Sequence, residues 1–237
     1  MKWIAFLSLL TIFQVATWAG DTGISAPVVL APGLSVDAAR HEVQMEATVC
    51  LQKGMLEYLV CRRGTFEHEA VFVTTCTPSL LHTALLVIGT EPFPQMADGE
   101  WARVARERIP ARLTITVAYE QDGRPQRRRI SEFLVDRKKR NAAVPDSWVF
   151  TGSFFIKEDS QVRYAADRTG AGSGLIPEGA AVIQFAERSG IPYHGEDQGL
   201  EVNPDTTPAV GTRVRLIFTA QGRAPIGNSS TPAMPEP

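Results

Sequence analysis

The residues best suited to chemistry crowd into one stretch, Arg63 to Pro92. It holds two of the four histidines, His68 and His82, one of the three cysteines, Cys76, and the triplet Glu67-His68-Glu69. Imidazole and carboxylate together suit zinc, iron or copper, or proton transfer. The surroundings are apolar, and a buried ionisable group is costly unless it is paired or metal-bound. If Glu69 to Thr75 is a strand, His68 shares a face with Ala70 and Phe72, while Glu67 and Glu69 share the other with Val71. His82 lies one turn into the apolar helix that follows. A strand and its next helix normally pack together. Glu57, Glu67, His68, Glu69 and His82 therefore form the candidate polar cluster, with His68, His82 and Glu69 as candidate ligands of a transition metal such as zinc or iron. The spacing is not the helical H-E-x-x-H of zinc proteases, whose histidines share one helix face. Three readings stay open: a metal-holding cluster in a binding domain, a metal-dependent hydrolase or redox site with Glu69 as base, and a satisfied hydrogen-bond network that only fixes the helix on the sheet.

The remaining reactive residues point less sharply. Three cysteines are an odd number, and no C-x-x-C is present. Cys50 and Cys61 are expected either to form a disulfide across the first hairpin or to join the cluster as ligands. Cys76 precedes a helix start, where the dipole would lower its pKa if it were exposed, and it serves equally as a small buried filler. His41 and His194 read as surface or loop residues. No G-x-S-x-G elbow occurs, Gly170 to Gly174 (GAGSG) reads as a loop, and Thr151-Gly152-Ser153 reads as a bulge or tight turn.

These residues need elements to hold them. His41 to Val49 alternates as a half-buried strand, Lys53-Gly54 marks a turn, and Met55 to Cys61 reads as the returning strand. Glu69 to Thr75 is apolar on both faces at its centre, as an interior strand is. Thr77 as N-cap, Pro78 at the first helical position and Gly89 past the end define a helix over about 78–88, apolar all round and therefore expected to be buried. An ambiguous piece from Trp101 is broken by Pro110. Leu113 to Tyr119 is a strand, Asp122-Gly123 a hairpin turn, and the returning strand falls within Arg129 to Val135. Aromatic strands flank Gly152, and QVRYAAD, AAVIQFA and TRVRLIFTA supply three more. The expected fold is one α+β domain, a mostly antiparallel or mixed sheet with one buried helix.

Met1-Lys2, an apolar run to Val15 and Thr17-Trp18-Ala19 form the pattern of a secretory signal peptide cut after Ala19. Residues 20–34 read as a flexible leader, 35–220 as the domain, and 221–237, rich in Pro, Gly, Ser and Thr, as a disordered tail. The mature chain is expected in a periplasm or outside the cell, with no transmembrane segment after signal removal. A net charge of −2 offers no global attraction for nucleic acid. From Arg103 to Arg140, twelve Arg and Lys face five Asp and Glu. This segment, within 124–140 above all, is either a solvated hairpin or a surface for a protein partner.

Several motifs resemble those of YdjY-type domains: Cys50-Leu51, Gly54-x-Leu56-Glu57, Cys61, Gly64-Thr65-x-Glu67-His68-Glu69, then His82-x-Ala84-Leu85-Leu86-x-x-Gly89-x-x-Pro92. WVFTGSFF, YAAD and GTRVRLIFT are similar to later segments of the same family. Phe93 stands where a Gly often follows, Cys76 is extra, and AAVIQFAERSGIPY echoes the family's run only loosely. The resemblance implies a largely uncharacterised bacterial family with many exported members, some described as ferredoxin-like with an iron–sulfur cluster. Three scattered cysteines do not supply the four thiolates of a cubane cluster, so an iron–sulfur cofactor is not expected.

Overall fold

The structure is a computed structural model that describes residues 26–93, 111–140, 143–176, 179–187 and 199–221. The first strands are β1 (Val28–Ala31), β2 (Leu34–Asp37), β3 (Glu42–Val49), β4 (Met55–Leu56), β5 (Tyr58–Arg62) and β6 (Ala70–Thr74), followed by helix α1 (Pro78–Val87). Then come β7 (Arg112–Gln121), β8 (Arg124–Arg129), a 3-10 turn Ile130–Phe133, β9 (Leu134–Asp136), β10 (Trp148–Phe150), β11 (Phe155–Glu158) and β12 (Gln161–Tyr164). The short helix α2 (Ala165–Thr169), β13 (Ala171–Gly174), β14 (Ile183–Phe185), β15 (Leu200–Val202) and β16 (Arg213–Ala220) complete the order.

The expected α+β sheet with one buried helix is corrected to a closed barrel. Eight strands pair in the ring β3-β16-β7-β10-β14-β13-β5-β6, and β6 returns to β3. Two long strands make closure possible by sharing an edge. β3 pairs with β2 through Glu42 to Met45 and with β6 through Thr48 and Val49. β7 likewise pairs with β8 from Thr116 onward and with β10 at Arg112 and Leu113. At each place an outer strand peels away and a barrel strand takes over the same edge, so β1, β2 and β8 hang outside the ring. Local periodicity carries no trace of this, because closure is a property of pairing across the chain.

Within the strands the alternation reads as expected. Leu113, Ile115, Val117 and Tyr119 of β7 are buried and alternate with half-buried residues. Val43, Met45, Ala47 and Val49 of β3 do the same. Inward side chains fill an eight-stranded barrel, leaving a packed core, here built around Phe72, Trp148, Phe150 and Phe218. β6 is buried at all five positions because β3 and β5 pair with it on either side, as an interior strand requires.

Four local readings are corrected. Met55 to Cys61 does not return alongside β3. It splits at Glu57 into β4, which pairs with β15, and β5, which runs parallel to β6. The loop read at Gly170 to Gly174 is β13, fully buried, where glycines let β5 approach: a Cβ on Gly172 would stand 3.1 Å from the Val60 carbonyl oxygen. The strand expected within Arg129 to Val135 is instead the end of β8, the 3-10 turn and the start of β9. The helix is not buried all round: Pro78, Leu81, Ala84 and Leu85 face the core, while Leu86 and Val87 are exposed. Gly89 does end it, at φ +81, in the left-handed region that favours glycine.

Val28–Ala31, inside the stretch read as a leader, forms β1. The signal segment, the Trp101 piece, His194 and residues 222–237 lie outside the described residues. No helix among the described residues is long and apolar enough to cross a membrane.

Candidate functional site

The residues of the expected cluster lie in two neighbourhoods. The first is the loop from β5 to β6. Glu67 folds back so that its Oε1 accepts the Gly64 amide proton at 2.6 Å, which holds its carboxyl below the usual range. Glu69 is buried, and desolvation raises its pKa. His68 is largely exposed, with Nε2 3.8 Å from Glu69 Oε1, too far for a hydrogen bond. Glu57 is half-buried, and its backbone amide donates to the Glu69 carbonyl.

His82 belongs to the second neighbourhood. It projects from α1 against Phe150, edge to face at 5.0 Å, and its Nδ1 lies 2.6 Å from the Tyr164 hydroxyl. That hydroxyl also accepts the Ser153 amide proton at 3.0 Å. With one lone pair taken by Ser153 N–H, the hydroxyl still holds one proton and one lone pair, so it pairs with His82 Nδ1 in either neutral tautomer. Burial agrees with neutrality, since desolvation lowers the His82 pKa and raises that of Tyr164 to about 12. Ser153 Oγ then accepts from Ala166 N at the start of α2. Asp167 Oδ1 accepts from Ser79 N at 2.8 Å and caps α1 from outside. Thr77, the expected N-cap, makes no side-chain capping bond, so Asp167 does that work.

Gly152 sits at the centre. Its φ is +67, and a Cβ there would stand 3.1 Å from His82 Cε1 and 3.3 Å from Pro92 Cβ. Three segments distant in sequence thus meet: the α1 helix through His82, Gly152-Ser153, and Tyr164 to Asp167. Sequence reasoning misses Tyr164 as the partner of His82, and Ser153 and Asp167 as the residues that bond Tyr164 and α1, although Thr151-Gly152-Ser153 and YAAD stand out as motifs.

Beside this junction opens a cavity of about 810 Å³, with Arg62, Glu158, Arg163, Tyr164, Asp167 and Arg168 among its lining residues. The volume is within the common range for small-molecule sites, roughly 300–1,000 Å³.

The donors do not fit a metal ion. His68 meets Glu69 and His82 meets Tyr164. Among the described residues no group of three or more His, Cys, Asp or Glu is placed to hold one. The expected Cys50–Cys61 disulfide is not formed; both thiols are free. β6 lies between β3 and β5, so the two cysteines do not face one another across a hairpin, although both pack in one cluster with Ala70 and Val73. Cys50 Sγ instead donates to the Ala70 carbonyl at 3.1 Å, and Cys61 is enclosed with Tyr58, Ala70 and Val73. Burial pushes the Cys50 thiol from an ordinary 9.0 to about 12 and that of Cys61 to about 11. Cys76 is the buried filler: burial raises its pKa, so the lowered value conditional on exposure does not apply.

Two pH dependences follow. The folded chain keeps Cys50 and Cys61 protonated where the unfolded chain ionises them, so their contribution to stability is complete below pH 9 and is lost as pH rises toward 11–12. Urea unfolding across pH 8–10.5 is expected to show this alkaline loss, reduced in Cys61→Ala. His82 acts at the other end. Its folded pKa is depressed, so its contribution is complete above the unfolded value of 6.5 and is lost as pH falls below it. The same titration across pH 5–7.5 is expected to be flatter for His82→Gln.

His41, read as a surface or loop residue, lies at a turn but is buried, and its Nδ1 lies 2.9 Å from the Ile88 carbonyl at the end of α1. A donor there satisfies a helix C-terminal carbonyl. No local signal distinguishes this histidine from a loop residue. The basic segment is largely paired: Arg127 with Glu42, Arg128 with Glu132, Arg129 with Asp146, and Arg137 and Arg140 with Glu201.

Residues 34–219 match the YdjY domain family, and the chain belongs to it. No curated protein and no solved structure matches the chain.

Proposed function

We propose that this YdjY-family chain is an exported bacterial binding domain, acting in the periplasm or outside the cell, that takes a small polar molecule into the cavity beside Tyr164. One observation carries the reading: the three motif segments that meet at His82, Gly152-Ser153 and Tyr164 do so at the wall of that cavity. A junction built only for stability has no need to border a polar opening of ligand size. Here Tyr164 belongs to both, bonded to His82 and Ser153 on one side and lining the cavity on the other. The site is also firmly backed. Asp167 caps α1, and Ser153 caps α2, so the cavity wall around Tyr164 and Asp167 is tied to α1 and to the segment after β10.

The apolar run at the N-terminus and Thr17-Trp18-Ala19 support export. A metal-dependent hydrolase or redox protein using His68, His82 and Glu69 finds no support in the two separate neighbourhoods. The purely structural reading is the alternative that the test must separate.

Native mass spectrometry of protein recovered from a secreting bacterial host is the test. The expected result is a mature chain beginning at Gly20, together with a non-covalently retained small molecule or a thermal shift with members of a polar metabolite panel. Tyr164→Ala is expected to weaken that binding at least tenfold. A folded, secreted chain that binds nothing across the panel would leave the junction as scaffolding.

A further inference from the structure

We propose that the opening beside Tyr164 takes a neutral polyhydroxylated molecule, of the sugar or sugar-alcohol class; this rests on the binding-domain reading above. The lining is balanced in charge. Arg62, Arg163 and Arg168 supply three guanidiniums, and Glu158, Asp159 and Asp167 supply three carboxylates. A ligand with net charge of either sign gains little from such a lining, because each attraction is offset by a like charge. An apolar ligand fits no better. Small-molecule sites are mostly hydrophobic with a few polar groups, whereas here Tyr164 supplies the only ring and every other lining side chain is charged or an amide.

The ligand that suits this lining both donates and accepts and carries no charge. A hydroxyl does both, with one proton and two lone pairs. Guanidiniums only donate and carboxylates only accept, so a lining that mixes them matches a run of hydroxyls. Bonds within the lining hold the mixture in place. Glu158 accepts from Arg168 Nε at 3.1 and 3.4 Å and lies 3.9 Å from Arg163 Nε. Gln161 Oε1 accepts from Arg163 Nη2 at 3.1 Å, which leaves the Gln161 amide protons for a ligand oxygen. Asp167 Oδ1 accepts from the Ser79 amide, which leaves Oδ2 as an acceptor. A site built to bond ligand hydroxyls rejects an analogue that lacks them, because its own polar groups are then left unpaired.

That rejection sets the test. Isothermal titration calorimetry of the secreted protein would use sorbitol and glucose as probes. Hexane-1,6-diol, betaine, citrate and putrescine would serve as controls for carbon chain, zwitterion, anion and cation. Saturable binding of a polyol and of none of the controls is expected, with a Kd nearly unchanged as salt is raised. Gln161→Ala is expected to weaken polyol binding severalfold. Glu158→Gln leaves three guanidiniums against two carboxylates, so it is expected to weaken the polyol and to admit citrate, a gain that general damage to the fold would not give. Circular dichroism melts would establish that both variants are folded. Saturable binding of any control without a polyol, or a metabolite-panel ligand that lacks hydroxyls, would overturn the polyol proposal and leave the binding domain standing. Polyol binding unchanged in both variants would overturn this site likewise. Absence of binding by every probe, together with an empty metabolite panel, would overturn both readings.

Discussion

Phe72→Ala is expected to cost about 3–5 kcal/mol, the usual range for truncating a buried phenylalanine. Phe72 is fully buried and sits on the strand that closes the barrel, opposite Val49 of β3 and Val60 of β5. Its ring also packs edge to face on Phe133 at 5.8 Å. A cavity there weakens the seam between the first and last strands of the ring. Domains are stable by only about 5–15 kcal/mol, so much of the margin would go. Equilibrium urea unfolding measures it. A loss below about 1 kcal/mol would mean that β6 is not interior. Phe155→Ala is the control: Phe155 is 71% exposed, on the outer hairpin, and little change is expected.

Gly170→Ala is expected to cost about 2–4 kcal/mol, combining backbone strain and steric overlap. Gly170 ends α2 at φ +85, where an alanine Cβ is disfavoured. The same Cβ would stand 2.5 Å from Thr65 Cγ2 and 2.7 Å from Thr65 Oγ1. Thr65 is β-branched and hydrogen-bonded to Arg62, so it cannot swing aside freely. The two contributions separate in a double-mutant cycle. Thr65→Ala removes the two closest overlaps, leaving its own Cβ at 3.0 Å, but not the strain, so the double variant should be less damaged than the sum of the singles by about 1 kcal/mol or more. Strict additivity would mean that the β5–β6 loop does not rest on the α2 terminus.

The sequence was most legible where chemistry is local. β3 and β7 follow from alternation, β6 from an apolar run, β16 from TRVRLIFTA, the Asp122-Gly123 hairpin from turn chemistry, and α1 from Pro78 and Gly89. It was least legible where one segment has to find another. Met55 to Cys61 looked like the return of a hairpin because a turn signal preceded it, yet β5 takes its partners from β6 and β13. The Cys50–Cys61 disulfide is expected from an oxidising compartment and needs a longer loop or a bulge in that hairpin, and it is not formed. Gly170 to Gly174 looked like a loop because glycine is a poor strand former in isolation, but close approach to Val60 is what excludes larger side chains. For the site, His82 was legible as a half-buried polar group in an apolar helix. Its partner was not, since Tyr164 lies 82 positions further along and only the fold joins them. Joining His68 to His82 assumed that the strand and helix stack directly, whereas His68 lies in the loop before β6 and is exposed.

The most direct test of where this domain does its work is amide chemical-shift mapping on the labelled protein, titrated in turn with the polar metabolite panel and with zinc. The largest shifts are expected at Arg62, Tyr164, Asp167 and Arg168 with a small molecule, with no saturable effect of zinc at His68 and Glu69. Saturable zinc shifts spanning His68, Glu69 and His82, with an unresponsive cavity, would contradict the placement of the site and restore the metal cluster.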